Sequence, residues 1–163
     1  MQTTKEQKEQ YVTIRLATKD DLKWIKKINE ESLPENYDKR TYLRFFYSYP
    51  GLMWVAEHGK RIVGYVMAQV KGVKIMRGHI FSIAVSDKFR GRGIGSNLME
   101  AVETQLTSVH NVHFITLHVR ESNVVGIRLY TSTMGYKIKK TMKYYPDGEN
   151  ALYMVKYFDT KSE

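Results

Sequence analysis

Arg90-Gly91-Arg92-Gly93-Ile94-Gly95 is a stretch suited to meeting an anion. It follows the alternating apolar run His79-Ile80-Phe81-Ser82-Ile83-Ala84-Val85 and precedes an amphipathic run from Ile94 to about Val109. That pattern reads as strand, glycine-rich turn and helix. Such a turn gathers successive backbone N–H groups and a helix N-terminus at one point, which attracts phosphate. Glycine permits close approach of a ligand and φ > 0, and Arg90 and Arg92 add fixed positive charge. The expected ligand is a nucleotide-like anion. A P-loop would need a Gly-Lys-Ser/Thr ending, which is missing. A dinucleotide fingerprint would need a third glycine where Ser96 stands.

Three titratable side chains draw attention beside this turn. Glu35 follows Pro34 in a loop between two helical patterns, where a carboxylate can face a substrate or can complement the dipole of the next helix. His79 opens the strand before the glycine turn, and His118 lies near the end of a later strand. If those strands are neighbours, both imidazoles point toward one acceptor, and histidine titrates in the useful range. A strand histidine can equally be packing. The five histidines show no spacing with carboxylates that suits a metal, so no metal is expected. Cysteine is absent, which excludes a Cys nucleophile, a thiolate metal site and a disulfide framework.

The elements that position these groups follow from periodicity. Tyr11–Ala17 alternates as a strand. Thr18-Lys19-Asp20-Asp21 reads as an N-cap with acid in the first turn, and Leu22, Ile25 and Ile28 form the apolar stripe of the helix that Pro34 breaks. Asp38–Tyr49 is an aromatic-rich helix stopped by Pro50-Gly51. Met53–Glu57 and Ile62–Val70 are strands joined at His58-Gly59-Lys60. A basic connection over 71–78 leads to strand 79–86. In the helix after the glycines, Ile94, Leu98, Val102, Leu106 and Val109 mark a buried face. Val112–Val119 is a strand. Ser122 caps a helix to about Met134, ended by Gly135. Tyr136–Lys143 and Ala151–Phe158 form a hairpin around Pro146-Asp147-Gly148.

The chain has 163 residues, enough for one domain over 11–159 behind a polar, flexible tail at 1–10. No apolar run approaches the ~20 residues needed to span a bilayer, and MQTTKEQKEQ does not resemble a signal peptide. No membrane or DNA partner is expected. The net charge of +9 favours polyanions, such as a phosphate-bearing cofactor, RNA or a ribosome surface, or else serves solubility.

The spacing Arg90-x-x-Gly93-x-Gly95 resembles the acetyl-CoA pyrophosphate loop of the GCN5-related N-acetyltransferases. The element order matches their α/β fold, a mixed, twisted sheet of about seven strands flanked by about four helices. Further segments narrow the likeness: Leu33-Pro34-Glu35-Asn36-Tyr37, Gly78-His79-Ile80, Leu117-His118-Val119-Arg120-Glu121-Ser122-Asn123, Leu129-Tyr130 and Lys143-Tyr144-Tyr145-Pro146-Asp147-Gly148-Glu149. Over roughly residues 12–155 these resemble the catalytic subunit of N-terminal acetyltransferase A and its archaeal relatives. Bacterial ribosomal-protein alanine acetyltransferases are a more distant likeness.

The resemblance implies a cytoplasmic enzyme that moves acetyl from acetyl-CoA to the α-amino group of a protein or nascent-chain N-terminus. That amine has a pKa of ~7.7–8.0, against ~10.4 for lysine, so a modest base acting through water suffices. The resemblance gives this role to Glu35, with His79 and His118 as alternatives. It makes Tyr130 the general acid for the CoA thiolate. Backbone of Ile83, Ala84 and Val85 would meet the pantetheine arm. Arg90, Gly91, Arg92, Gly93, Ile94, Gly95 and Ser96 would hold the pyrophosphate, and Asn123 would touch the cofactor or simply cap its helix. Leu33, Pro34, Tyr37, Tyr144 and Tyr145 would line the peptide groove, with Arg120 supporting Glu35 or Glu121. A lysine or small-amine acetyltransferase and a non-catalytic ribosome-docking module are the competing readings.

Overall fold

Seven strands form one sheet in the order β1-β2-β3-β4-β5-β7-β6. The structure is a computed structural model and describes residues 11–159; the tail expected over 1–10 lies outside them. The strands are β1 (Val12–Leu16), β2 (Met53–His58), β3 (Arg61–Lys71), β4 (Arg77–Val85), β5 (Phe114–Arg120), β6 (Lys137–Lys143) and β7 (Asn150–Tyr157). Four helices join them: α1 (Leu22–Ser32), α2 (Lys39–Ser48), α3 (Ile94–Ser108) and α4 (Val124–Arg128). The sheet is mixed. β1–β2, β2–β3, β5–β7 and β6–β7 pair antiparallel, whereas β4 and β5 run parallel. Among the described residues no helix is long and apolar enough to cross a membrane.

The chain divides into two compact units. One takes the residues up to Ala68 with Ser82–Val102, and the other takes Gln69–Phe81 with the chain from Glu103 onward. In the first unit, Leu22, Ile25 and Ile28 bury one face of α1, and Tyr42 and Phe45 bury one face of α2. Asp38 caps α2 by accepting from the Thr41 N–H at 3.0 Å. Val63 to Ala68 of β3 are buried without alternation, as expected of a strand covered on both faces. Ile94, Leu98, Met99 and Val102 seat α3, and each such side chain contributes about 1.5–3 kcal/mol on burial.

In the second unit Gly78 shows why a side chain is missing. A Cβ there would stand 2.9 Å from Leu106 Cδ1 and 3.2 Å from Ile115 Cγ1, so glycine lets the end of α3 lie close on β4. β6 carries Lys137, Lys139, Lys140 and Lys143 along an exposed edge. Lysines on an edge strand oppose pairing with another chain, and part of the net positive charge is explained in this way.

Several boundaries differ from the sequence expectation. β4 starts at Arg77 rather than His79, because Arg77 and Gly78 already pair with Phe114 and Ile115. Val109, expected on the buried face of α3, lies beyond the helix end and is 59 % exposed. The left-handed Asn111 at φ 50° turns the chain away there. The helix expected to be capped by Ser122 is capped instead by Asn123, whose Oδ1 accepts from the Gly126 N–H at 2.9 Å. Ser122 is engaged elsewhere, its N–H and hydroxyl both donating to Glu149. That helix is also not uniform. After Arg128 it continues as a π turn over Leu129–Thr133, and Gly135 ends it at φ +80°.

Candidate active site

The glycine turn lies in the first unit. Gly91 and Gly93 take φ of +73° and +78°, conformations that favour glycine. Neither position is crowded: a Cβ at Gly91 would meet nothing within 4 Å, and one at Gly93 only Ser96 Oγ at 3.8 Å. The glycines therefore serve backbone direction rather than packing. The first turn of α3 begins here, with the Asn97 N–H donating to the Gly93 carbonyl at 3.1 Å. N–H groups preceding that bond have no intrahelical acceptor, as at every helix start. Arg90 Nε donates to the Val85 carbonyl at 3.0 Å and Arg92 to the Lys88 carbonyl at 3.2 Å. Both guanidinium groups are thus tethered beside the turn. The N–H groups of this helix start and the two arginines, of which Arg90 also pairs with Asp87 at 2.7 Å, are a set that can receive an anion.

β4 runs directly into the turn. Its ladder with β5 extends from Arg77↔Phe114 to Ile80↔Leu117 and stops, although β4 continues to Val85 and β5 to Arg120. Ile83, Ala84 and Val85 lie on the continuation.

Glu35 sits in the loop after α1, with Leu33 as the C-cap residue and Pro34 preventing another helical turn. Buried Asn29 grips this loop, donating from Nδ2 to the Glu35 carbonyl at 3.0 Å and accepting from Asn36 Nδ2 at 3.1 Å. Tyr37 sets its ring edge-on to Tyr42, centroids 6.3 Å apart.

The second unit brings His79 and His118 together, ring centroids 5.4 Å apart. Tyr144 stacks on His118 at 4.1 Å, and Tyr153 packs at 5.2 Å. His79 Nδ1 lies 2.7 Å from Thr116 Oγ1, which also faces the Gly78 carbonyl at 3.5 Å. With the hydroxyl proton assigned to that carbonyl, Nδ1 donates and Nε2 keeps the basic lone pair. His118 Nδ1 is buried and has no hydrogen-bond partner among the described residues. Burial, then His118, Arg77 and Lys71, push His79 down to about 4. Burial, then Lys140, lowers His118 as well. Both rings are therefore neutral at pH 7.

That depression has a consequence for stability. An unfolded histidine titrates near 6.5, so between pH 6.5 and about 4 the unfolded chain binds more protons than the folded one. Folding stability then rises with pH across this window and is lost as pH falls through it. The His79 contribution is about 3 kcal/mol at most. Urea unfolding from pH 7 to pH 4 is expected to show this slope, and His79→Gln to flatten it. An equal slope in the variant would assign the loss to other groups.

Arg120 anchors the loop that follows β6. Its NH1 meets Asp147 at 2.7 Å and Glu149 at 2.9 Å, and its guanidinium lies 4.0 Å from the Tyr145 ring centroid. The Glu149 N–H donates to Asp147 Oδ1 at 3.0 Å, holding the Glu149 carboxyl's own backbone in register. Bonds from Ser122, then Arg120, hold the Glu149 carboxyl below its ordinary range. The Glu149 N–H, then Arg120, does the same for Asp147. Tyr144 and Tyr145 sit edge-to-face, centroids 5.0 Å apart, on this clamped loop. Asp147 and Glu149 thus anchor Arg120 to this loop.

Tyr130 occupies the π turn and is 7 % exposed. π turns inside helices are frequent at functional sites. Its ring meets Tyr136 edge-on at 6.2 Å, and its carbonyl accepts from the Tyr136 N–H at 2.8 Å. Tyr136 donates to Glu103, whose other oxygen takes Lys156 at 2.9 Å. This buried chain fixes the turn that carries Tyr130. Thr116, Tyr153, Asn29 and Glu103 escape sequence reading. Asn29 and Glu103 do leave a trace, each being a polar residue inside an otherwise apolar helix face.

A model of the Acetyltransferase (GNAT) family matches residues 22–136. The chain is 43 % identical over 148 residues to the N-terminal acetyltransferase A complex catalytic subunit NAA10 of Arabidopsis thaliana, covering 89 % of this chain and 77 % of that one. It is 33 % identical over 165 residues to an N-alpha-acetyltransferase of Saccharolobus solfataricus, covering 96 % and 99 %. A chain of the NatB acetyltransferase complex bound to CoA and MES superposes with a TM-score of 0.77 at 28 % identity, covering 90 % and 99 %. This chain belongs to the GNAT family of acetyltransferases. It is an acetyltransferase enzyme with acetyl-CoA as its acetyl donor.

Proposed function

We propose that this acetyltransferase acts on the α-amino group of protein and nascent-chain N-termini. The observation that carries the reading is the N-terminal acetyltransferase identity of both curated relatives across nearly the whole chain. Residues 11–159 then work as a single acetyltransferase domain. Arg90, Gly91, Arg92, Gly93, Ile94, Gly95 and Ser96 hold the pyrophosphate, the backbone of Ile83, Ala84 and Val85 orients the pantetheine arm, and Asn123 adds a cofactor contact beside its capping role. Acetyl-CoA supplies an activated thioester. The substrate nitrogen attacks its carbonyl, the C–N bond forms and the C–S bond breaks. Glu35 takes the ammonium proton through water. His79 and His118, being neutral, are the alternative groups for holding a water by accepting its hydrogen bonds. Tyr130 returns a proton to the departing thiolate. Leu33, Pro34, Tyr37, Tyr144 and Tyr145 receive the peptide, with Arg120 fixing the tyrosine loop.

In this reading the acetyl group passes directly from thioester to amine, with no acetyl-enzyme between. Initial rates with both substrates varied are expected to give intersecting double-reciprocal lines, and parallel lines would contradict direct transfer. Peptides differing only at residue one then rank the preference. The positive charge suits a cytoplasmic enzyme working beside ribosomal RNA, and co-sedimentation with ribosomes is expected to fall steeply with salt.

A further inference from the structure

Asn29 and Tyr65 are both fully buried, at 0 % exposure, and Ser82 is 8 % exposed. Three polar side chains in a core require mutual bonding to be tolerated. Their proton directions follow from one fixed point. The Glu35 carbonyl can only accept, so the Asn29 atom 3.0 Å from it is the donor Nδ2. The same Nδ2 stands 3.0 Å from the Tyr65 oxygen and gives it the second amide proton. Tyr65 therefore accepts from Asn29 and sends its own single proton to Ser82 Oγ, 2.7 Å away. On the other side, Asn36 Nδ2 donates to Asn29 Oδ1 at 3.1 Å and to the Leu33 carbonyl at 2.9 Å. One hydrogen-bonded chain thus runs from loop residues Leu33, Glu35 and Asn36, through α1 and β3, to Ser82. Ser82 immediately precedes Ile83 on β4. All of these residues lie within the first unit.

A leucine, a phenylalanine and an alanine would fill the same volumes without buried polar atoms. What an apolar trio would not do is hold one loop at one height against one strand. We infer that Asn29, Tyr65 and Ser82 are positioning residues that register the Leu33–Tyr37 loop against the β4 backbone and thereby set the choice among acceptor first residues. The inference rests on the proposed function, in that this loop meets the acceptor while the end of β4 meets acetyl-CoA.

The test is the kinetics of Tyr65→Phe, with Ser82→Ala as a smaller cut in the same chain. Two peptides are used that differ only in a first residue of Ser or Met. The expected result is a peptide KM raised about fivefold or more, a change of at least threefold in the Ser:Met ratio of kcat/KM, and an acetyl-CoA KM within twofold of the parent. A merely structural role lowers Tm and the active fraction but moves neither the ratio nor KM. An unchanged ratio in both variants, or in Ser82→Ala alone if Tyr65→Phe does not fold, overturns the inference. Glu35→Gln, assayed in parallel, decides separately whether Glu35 assists deprotonation. A full-rate Glu35→Gln would remove that role, while the Ser:Met ratio alone would still decide positioning.

Discussion

Tyr130→Phe is expected to lower kcat about 100-fold, with the KM for acetyl-CoA within about twofold. The change deletes one oxygen from a ring that is 7 % exposed and packed edge-on against Tyr136, so the ring itself stays in place. The π turn is held by backbone bonds that the substitution does not touch, Met134 N–H to the Leu129 carbonyl and Tyr136 N–H to the Tyr130 carbonyl. Lost proton donation to a leaving thiolate affects the bond-breaking step and not cofactor capture. The predicted signature is therefore a fall in kcat alone, read by steady-state kinetics with CoA release followed through its thiol. A second signature separates the role from packing. Thiolates that leave easily need no proton, so an acetyl thioester of lower thiol pKa should recover part of the lost rate. Equal losses with both donors would make Tyr130 a structural residue.

Gly93→Val is the second large effect, and it falls on the other kinetic constant. Gly93 has φ +78°, and a β-branched residue is a genuine outlier there. The space around it is open, since an added Cβ would meet only Ser96 Oγ, at 3.8 Å, so the penalty is conformational. Relief of that strain turns the N–H groups that open α3 away from their common point. Losing one or two charge-assisted bonds to phosphate costs about 1.5–3 kcal/mol each, so the KM for acetyl-CoA is expected to rise about 50-fold. The peptide KM stays near its parent value. Isothermal titration with CoA gives the same loss without turnover. CoA bound at parental affinity would remove the turn from the cofactor site.

The features that can be read from sequence are those with local causes. The glycine turn, the α1 stripe of Leu22, Ile25 and Ile28, and the order of seven strands and four helices each follow from spacing within a few residues. Where a local rule has two solutions, tertiary contacts choose. Ser122 and Asn123 are both capping residues, and Asn123 caps because Glu149, 27 positions away from Ser122, occupies the serine. Val109 continues the apolar spacing of α3, yet the helix has already ended. The site's supporting bonds are not legible because their partners are distant in the chain. Asn29 and Tyr65 are 36 residues apart, His79 and Thr116 are 37 apart, and Arg120 reaches Asp147 across 27. Nothing in a local window marks such pairs. The misplaced polarity of Asn29 and of Glu103, each inside an apolar helix stripe, signals that a partner has to exist.

The most direct test of α-amino transfer uses one peptide that carries both a free N-terminus and an internal lysine. It is incubated at pH 7.5 with acetyl-CoA and the enzyme, and the acetylated position is read by fragment mass spectrometry. At that pH an appreciable fraction of the α-amine is neutral, whereas lysine, near 10.4, is almost wholly protonated. The predicted result is acetyl on the N-terminal nitrogen and an unmodified lysine, with no product once the N-terminus is blocked. Acetyl-lysine from the blocked peptide at a comparable rate would contradict α-amino transfer and would place the acceptor chemistry on side chains.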